Sequence, residues 1–413
     1  MQKNLNDSWW PSGLSSLRHH GYRVFIAGQA LSLLGTWVQG TAQRWLVLEL
    51  TGSAFYVGVL GAVAGLPILF FSLLGGFLAD RFPKINFLIF VHSIILAQAL
   101  IFGLLIQTGQ INFSWILLLA LVLGIGTSFE VPARQSLVFD LVGKDDITNG
   151  IAIHSTAFNL ARFAGPAIAG ILIKAGWMQG CFYLKAASAF LIMLVLFYLR
   201  KIYPRFNMPI ADGKDEQQPF GAIKKTIVFV SSRKELAGIL MTIVSFGVLL
   251  LPYSILLPSF GRDVLGLDAR GYGFISAANG FGALAGALFV AVFGHSGNRK
   301  KWWRFGAFAF PLTLTLFSFS ISFIQATITL FLSGFIMVIT STSAISILQI
   351  EATNALRGRL MGLFTTSFMG LFPLGSLIQG ALADLVGIKP TLLTMSLVAL
   401  TISFALWKNR FYG

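Results

Sequence analysis

The sequence predicts an all-α membrane protein, with twelve transmembrane helices in two pseudo-symmetric six-helix bundles. Three observations carry that expectation. First, 56% of the 413 residues are hydrophobic and 11% are charged, with a mean hydropathy of +0.79. Those charges are too few to coat a surface in water, so the solvent is lipid. Second, the apolar residues come in runs of about 20, the length a helix needs to cross a bilayer. Third, the chain resembles itself. Asn149–Gly170 lies on Arg359–Gly380 at an offset of 210 residues, which brings Phe158 onto Phe368, Gly165 onto Gly375 and Gly170 onto Gly380. The same offset carries Gly76 to Gly286 and Gly124 to Gly334, and it is the shared offset that informs. Asp80 falls on Val290, so the second half lacks that acid.

In chain order, the spans are read at 22–48, 54–79, 85–107, 113–133, 148–173, 180–200, 236–258, 271–293, 304–323, 327–349, 359–383 and 388–407. The parse is a cytoplasmic tail (1–21), a first six-helix bundle (22–200), a cytoplasmic linker (201–235), a second bundle (236–407) and a short tail (408–413). The first apolar run, from about Tyr22 to Leu50, is too long for a signal-peptide core and is expected to stay as helix 1. In the linker, Phe220, Ile223, Ile227 and Val230 recur at helical spacing beside Lys224 and Lys225. That pattern suits a short helix on the anionic inner leaflet, with a plain tether as the alternative.

A net charge of +15 raises the possibility of nucleic acid. Nucleic-acid binders gather their bases on one face, whereas here they are scattered through short loops, so the charge is read as topology. With the N-terminus inside, cytoplasmic segments hold Arg18, Arg23, Arg81, Lys84, Arg134, Lys144, the run from Arg200 to Lys234, Arg299–Arg304, Arg357, Arg359 and Lys408. Outer segments hold only Lys174, Arg262, Arg270 and Lys389. Both termini are therefore expected in the cytoplasm. The single cysteine, Cys181, permits no internal disulfide, and His19-His20 reads as a solvated pair.

No Walker loop, zinc helix or nucleophile elbow is present, so an enzyme is not expected and no cofactor or metal is implied. The informative residues are polar ones inside the spans, because lipid excludes them unless they have work or partners. Helix 1 carries Gln29, Thr36, Gln39, Gln43 and Arg44. Gln39 and Gln43 share a face and either line a cavity or bond to neighbouring helices. Glu49 is the first acid of helix 1, at its outer end, so no proton relay is read there. Helix 4 carries Glu130 and Arg134 at i, i+4, a spacing that suits an ion pair. If unpaired, Glu130 is the candidate for carrying protons. His92 and His154 read as packing residues. Helix 5 has Arg162 in mid-span, followed by Gly165, Pro166 and Gly170, which permit a bend and close packing. Gly61/Gly65 and Gly282/Gly286 read as small pairs that let helices touch.

Between helices 2 and 3, Gly76, Asp80, Arg81 and Lys84 resemble the signature Gly-x-x-x-Asp-Arg-x-Gly-Arg/Lys of the major facilitator superfamily, with Pro83 in place of its second glycine. Gly165-Pro166 resembles the glycine-proline signature of antiporters in that superfamily. Further stretches sharpen the likeness: Trp45-Leu-Val-Leu-Glu-Leu-Thr-Gly-Ser53, Pro132-Ala-Arg-Gln-Ser-Leu, Asp140-Leu-Val, Asn159-Leu-Ala-Arg, Arg357-Gly-Arg359 and Gly375-Ser-Leu-Ile-Gln-Gly380. Together they resemble the enterobactin-exporter-like branch, the transmembrane secretion effector group. The resemblance implies two bundles rocking around a central cavity, with the proton gradient as driving force and the helix 2–3 motif as gate. It implies a small amphipathic substrate such as a siderophore, a lipid bilayer as surroundings and a monomer as sufficient unit. Gln39, Gln43, Arg44 and Arg162 would line the cavity, and the arginines suit carboxylate or catecholate groups. Multidrug antiport, uptake, and a lipid scramblase or membrane scaffold are the competing readings.

Overall fold

The computed structural model describes residues 12–204, 228–293, 299–352, 354–409 and 411. Every regular element among them is helical. After a 3-10 turn at Ser12–Arg18, the long helices are α1 (His20–Thr51), α2 (Ala54–Arg81), α3 (Lys84–Gln107), α4 (Phe113–Lys174) and α5 (Met178–Ile202). There follow α6 (Lys234–Val264), α7 (Ala269–Phe293), α8 (Arg299–Ser318), α9 (Phe323–Glu351), α10 (Arg359–Val386) and α11 (Ile388–Lys408). Short π-helical stretches interrupt α6 at Phe246–Leu250 and Phe260–Val264, and α10 at Thr366–Gly370. Most of the proposed interfacial helix of the linker lies outside the described residues.

Nine segments among the described residues are long and apolar enough to cross a membrane. Their boundaries account for the difference from the twelve spans read in sequence. Segment α4 is one run of 62 residues, about 90 Å at ~1.5 Å per residue, three times the hydrocarbon layer. It breaks at Gly143, whose φ of 76° is left-handed and suits glycine. Polar side chains at Gln29, Gln39, Gln43 and Arg44 lower the hydropathy of α1, and Arg299, Lys300, Lys301 and Arg304 do the same to α8.

The described residues form two compact units. One holds the chain up to Ala42 and from Phe70 into the central loop; the other holds Gln43–Leu69 and the chain after that loop. Segment 43–69, read in sequence with the first bundle, thus packs within the second unit. In the first unit, Tyr22 and Phe25 of α1, Ile85 and Leu88 of α3, Leu137 of α4 and Leu196 of α5 close an apolar core. The Tyr22 hydroxyl donates to the Gly150 carbonyl at 2.6 Å. In the second unit, Ile239 and Ile243 of α6, Trp303 of α8, Ile347 and Leu348 of α9 and Leu360 of α10 do the same.

The N-terminal turn is tied down by charge. Arg18 Nη2 and His19 Nε2 each approach Asp146 Oδ2 at 2.7 Å, and the Ser16 hydroxyl donates to Asn149 Oδ1 at 2.7 Å. His19 is therefore a paired residue, not half of a solvated pair. Burial works to raise the Asp146 carboxyl, but hydrogen bonds from His19, Ser15 and Arg18 outweigh it and hold it below the usual carboxylate range. Because the folded value lies below the unfolded one (~3.9), this contact is fully stabilising above about pH 4 and is lost as pH falls through the folded value. Asp146→Asn is expected to remove that pH dependence and to speed amide exchange in Ser12–Arg18 at pH 7. Unchanged exchange in the variant would contradict the anchoring role.

A buried ionic cluster as candidate functional site

The first unit holds charged and amide groups where lipid-facing helices should have none. Glu130 and Arg134, one turn apart on α4, form an ion pair with Nε to Oε1 at 2.9 Å, their side chains 13% and 11% exposed. Pairing offsets part of the cost of burying either charge alone. Arg134 continues through Nη1, which donates to His154 Nε2 at 2.5 Å across the Gly143 break. From α1, Gln29 Nε2 donates to the same Glu130 oxygen at 3.4 Å. His92 of α3 and Lys185 of α5 are buried and lie within electrostatic reach of Glu130. Four helices thus converge on one carboxylate.

Lys185 is the participant for which the sequence suggested no role. It is 2% exposed, and its ammonium donates to the Thr36 hydroxyl at 2.8 Å and to the Ser32 carbonyl at 3.4 Å, both on α1. Gly35 lies between them, and a Cβ there would press on Ser188 of α5, so α1 and α5 touch where the lysine crosses. The sequence signal was a lone lysine inside an apolar span. Its partner, 149 residues away, could not be read.

Arg162 is half-buried, with its guanidinium 5.8 Å from the centre of the Trp37 ring, and Trp37 meets Phe158 edge-on. A cation over an indole face is favourable. Three residues on, Gly165 allows contact with α1: a Cβ would sit 2.5 Å from Trp37 Cβ. Pro166 and Gly170 are buried in the same stretch. Gln39 is fully buried and donates to Gln98 Oε1 at 3.3 Å, while Gln98 donates to the Leu119 carbonyl at 3.1 Å. That places Gln39 in a chain of amide bonds from α1 through α3 to α4.

In the helix 2–3 motif, Gly76 and Asp80 lie in the last turns of α2, and the surroundings of the Asp80 carboxylate fall outside the described residues. Arg81 is exposed, whereas Lys84 is 7% exposed and its ammonium meets Asp140 Oδ2 at 2.6 Å. The motif's base and the Asp140-Leu-Val stretch are thus one contact, joining the start of α3 to α4. In the second unit, Gln43 is buried and Arg44 half-buried on the last turns of α1. The Gly375–Gly380 stretch packs on α6: a Cβ at Gly375 would overlap the Val248 carbonyl, and Gln379 Nε2 donates to the Leu249 carbonyl at 2.7 Å.

Among the described residues no group of three His, Cys, Asp or Glu side chains could hold a metal. A multi-pass helical protein with a charge network inside its spans has the build of a membrane transporter. Residues 11–411 match the family described as transmembrane secretion effector, and the chain belongs to that family of major facilitator transporters. It is a transporter family, not one of enzymes. The chain is similar to the staphyloferrin A transporter of Staphylococcus aureus, with 24% identity over 389 residues, covering 93% of this chain and 95% of that one. It is also similar to the enterobactin exporter EntS of Shigella flexneri, with 24% identity, covering 92% and 89%. Among solved structures, the nucleoside transporter NupG matches with a TM-score of 0.72 at 15% identity, covering 94% of this chain and 98% of that one. A POT family transporter matches with a TM-score of 0.75 at 13% identity, covering 94% and 95%. These two support the fold alone.

Proposed function

We propose that the protein exports an amphipathic organic molecule of the siderophore class across the bacterial inner membrane by alternating access. The observation that carries this reading is similarity along more than nine-tenths of the chain to one siderophore transporter and one siderophore exporter. The proton gradient is the proposed driving force, with Glu130 taking up a proton when its ion pair with Arg134 opens during the cycle. Twelve crossings, cytoplasmic termini and a monomer as working unit belong to the same proposal, as do the bundle boundaries 22–200 and 236–407. Gly76, Asp80, Arg81 and Lys84 are the proposed gate of the cytoplasmic side.

Arg162 is the proposed anchor for an acidic substrate, because it is a half-buried guanidinium within a span, the kind of group that matches a carboxylate or catecholate. Arg44, Gln39 and Gln43 keep the same proposed role, with Gln39 enclosed in the present conformation. Arg162→Ala is expected to slow transport roughly ten- to a hundredfold, the loss of one charge-assisted contact, with little change in melting temperature. Wild-type rates would return Arg162 to packing.

Inside-out membrane vesicles test the coupling. With enterobactin as probe and an acid interior, vesicles bearing the protein should accumulate it, and an uncoupler should stop them. Accumulation unaffected by the uncoupler would overturn proton coupling.

A further inference from the structure

The turn between α1 and α2 is capped from outside by opposite charges. Helix α1 ends at Thr51 and α2 begins at Ala54, with Gly52 at φ 68° between them. The last carbonyls of a helix carry partial negative charge, and its first amides partial positive charge. Yet α1 has no base in its last turn, and α2 has no acid in its first. The missing charges come from two other helices of the same unit. Arg262, at the end of α6, donates from Nη1 to the Leu48 carbonyl at 3.1 Å and from Nη2 to the Gly52 carbonyl at 3.4 Å. Its own carboxylate neighbour, Asp263, fixes Nε at 2.6 Å. Asp384, in the last turn of α10, accepts the Ala54 amide on Oδ1 at 2.9 Å and the Ser53 hydroxyl on Oδ2.

Behind the caps the helices touch directly. A Cβ on Gly58 of α2 would sit 2.5 Å from the Ser376 carbonyl of α10, and one on Gly380 would sit 3.0 Å from the Ala54 carbonyl. Trp45 of α1 stacks on Tyr272 of α7 with ring centres 5.5 Å apart. The Trp45–Ser53 stretch, through Ser53 on Asp384, and the Gly375–Gly380 stretch, through Gly380 against Ala54, thus border the same turn.

We propose that Arg262 and Asp384 form a releasable latch, closing the seam while this end of the transport path is shut and letting go when it opens. The inference rests on the alternating-access reading above, in which the α1–α2 turn belongs to the first proposed bundle (22–200) and Arg262 and Asp384 to the second (236–407). A latch must hold yet yield. The Arg262 side chain is 31% exposed and Asp384 is exposed, so water can take over both caps on release, whereas a desolvated ion pair would resist opening. The glycine seam behind the caps adds close packing without a side chain to interlock.

Spin labels at Leu50 and Val386, both exposed at this end, report the seam once Cys181 is replaced by serine. In nanodiscs, pulsed dipolar spectroscopy should give a dominant short distance for the parent. Arg262→Gln or Asp384→Ala should each shift the short-to-long ratio by about five- to tenfold, the size expected for losing a charged cap. Ser53→Ala, which removes a single hydrogen bond, should shift it in the same direction by less, and serves if either stronger variant fails to fold. Two distances in the parent with ratios unmoved by all three variants would overturn the latch and leave alternating access standing. One distance in every variant and the parent would overturn both.

Discussion

Glu130→Gln is expected to destabilise the protein by about 3–5 kcal/mol, because Arg134 would then lie buried with no counter-charge. The Glu130 side chain is 13% exposed and has Arg134 as its direct ionic partner, so solvent does little to soften the loss. The informative companion is the double variant Glu130→Leu with Arg134→Met. Removing both charges should recover most of the stability, since an apolar pair of similar volume often matches a buried ion pair. If Glu130 also handles protons, transport should stay absent in the recovered double variant. Melting in detergent and uptake by inverted vesicles would separate the two roles. A single variant as stable as the parent would remove Glu130 from the centre of the cluster.

The second large effect belongs to Gly282. A Cβ at this position in α7 would overlap the Phe331 carbonyl of α9, and one at Gly286 would lie 2.5 Å from the Phe335 carbonyl. Across the contact, a Cβ on Gly334 would overlap the Asn279 carbonyl, whose side chain donates to the Leu330 carbonyl and the Ser333 hydroxyl at 3.1 Å each. The obstacles are backbone atoms and cannot rotate away. Gly282→Val is therefore expected to cost at least the upper end of the ~1–3 kcal/mol typical of overpacking. Gly362→Ala, at a site with open space around its Cβ position, should be neutral or gain the ~1 kcal/mol of helix propensity. Equal melting temperatures for Gly282→Val and the parent would refute the close contact.

The glycine pair of α7 could be read from sequence because small residues at i and i+4 define one helix face, and any close neighbour must lie against it. The Glu130–Arg134 bond was legible for the same reason. Spacing within one helix says nothing about which other helix that face meets. Hence Lys185 gave no hint of Thr36, and His19 none of Asp146. Asp384 and Arg262, separated from the α1–α2 turn by more than 200 residues, gave no hint of that turn. Hydropathy, in turn, loses contrast where polar side chains fall inside a span. Helix α1 falls short of a membrane-crossing composition because it carries Gln29, Gln39, Gln43 and Arg44, the residues that drew notice as a site. The break within α4 was visible as a polar interval at 134–147, though its left-handed hinge at Gly143 was not.

Siderophore export makes a chemical prediction that needs no prior choice of ligand. Untargeted mass spectrometry would compare cells and medium from a strain lacking the gene with its complemented parent, in iron-poor and iron-rich growth. The expected result is an iron-chelating compound that builds up inside the deleted cells, disappears from their medium, and does so only when iron is scarce. An unchanged metabolite profile in both media would contradict dedicated siderophore export.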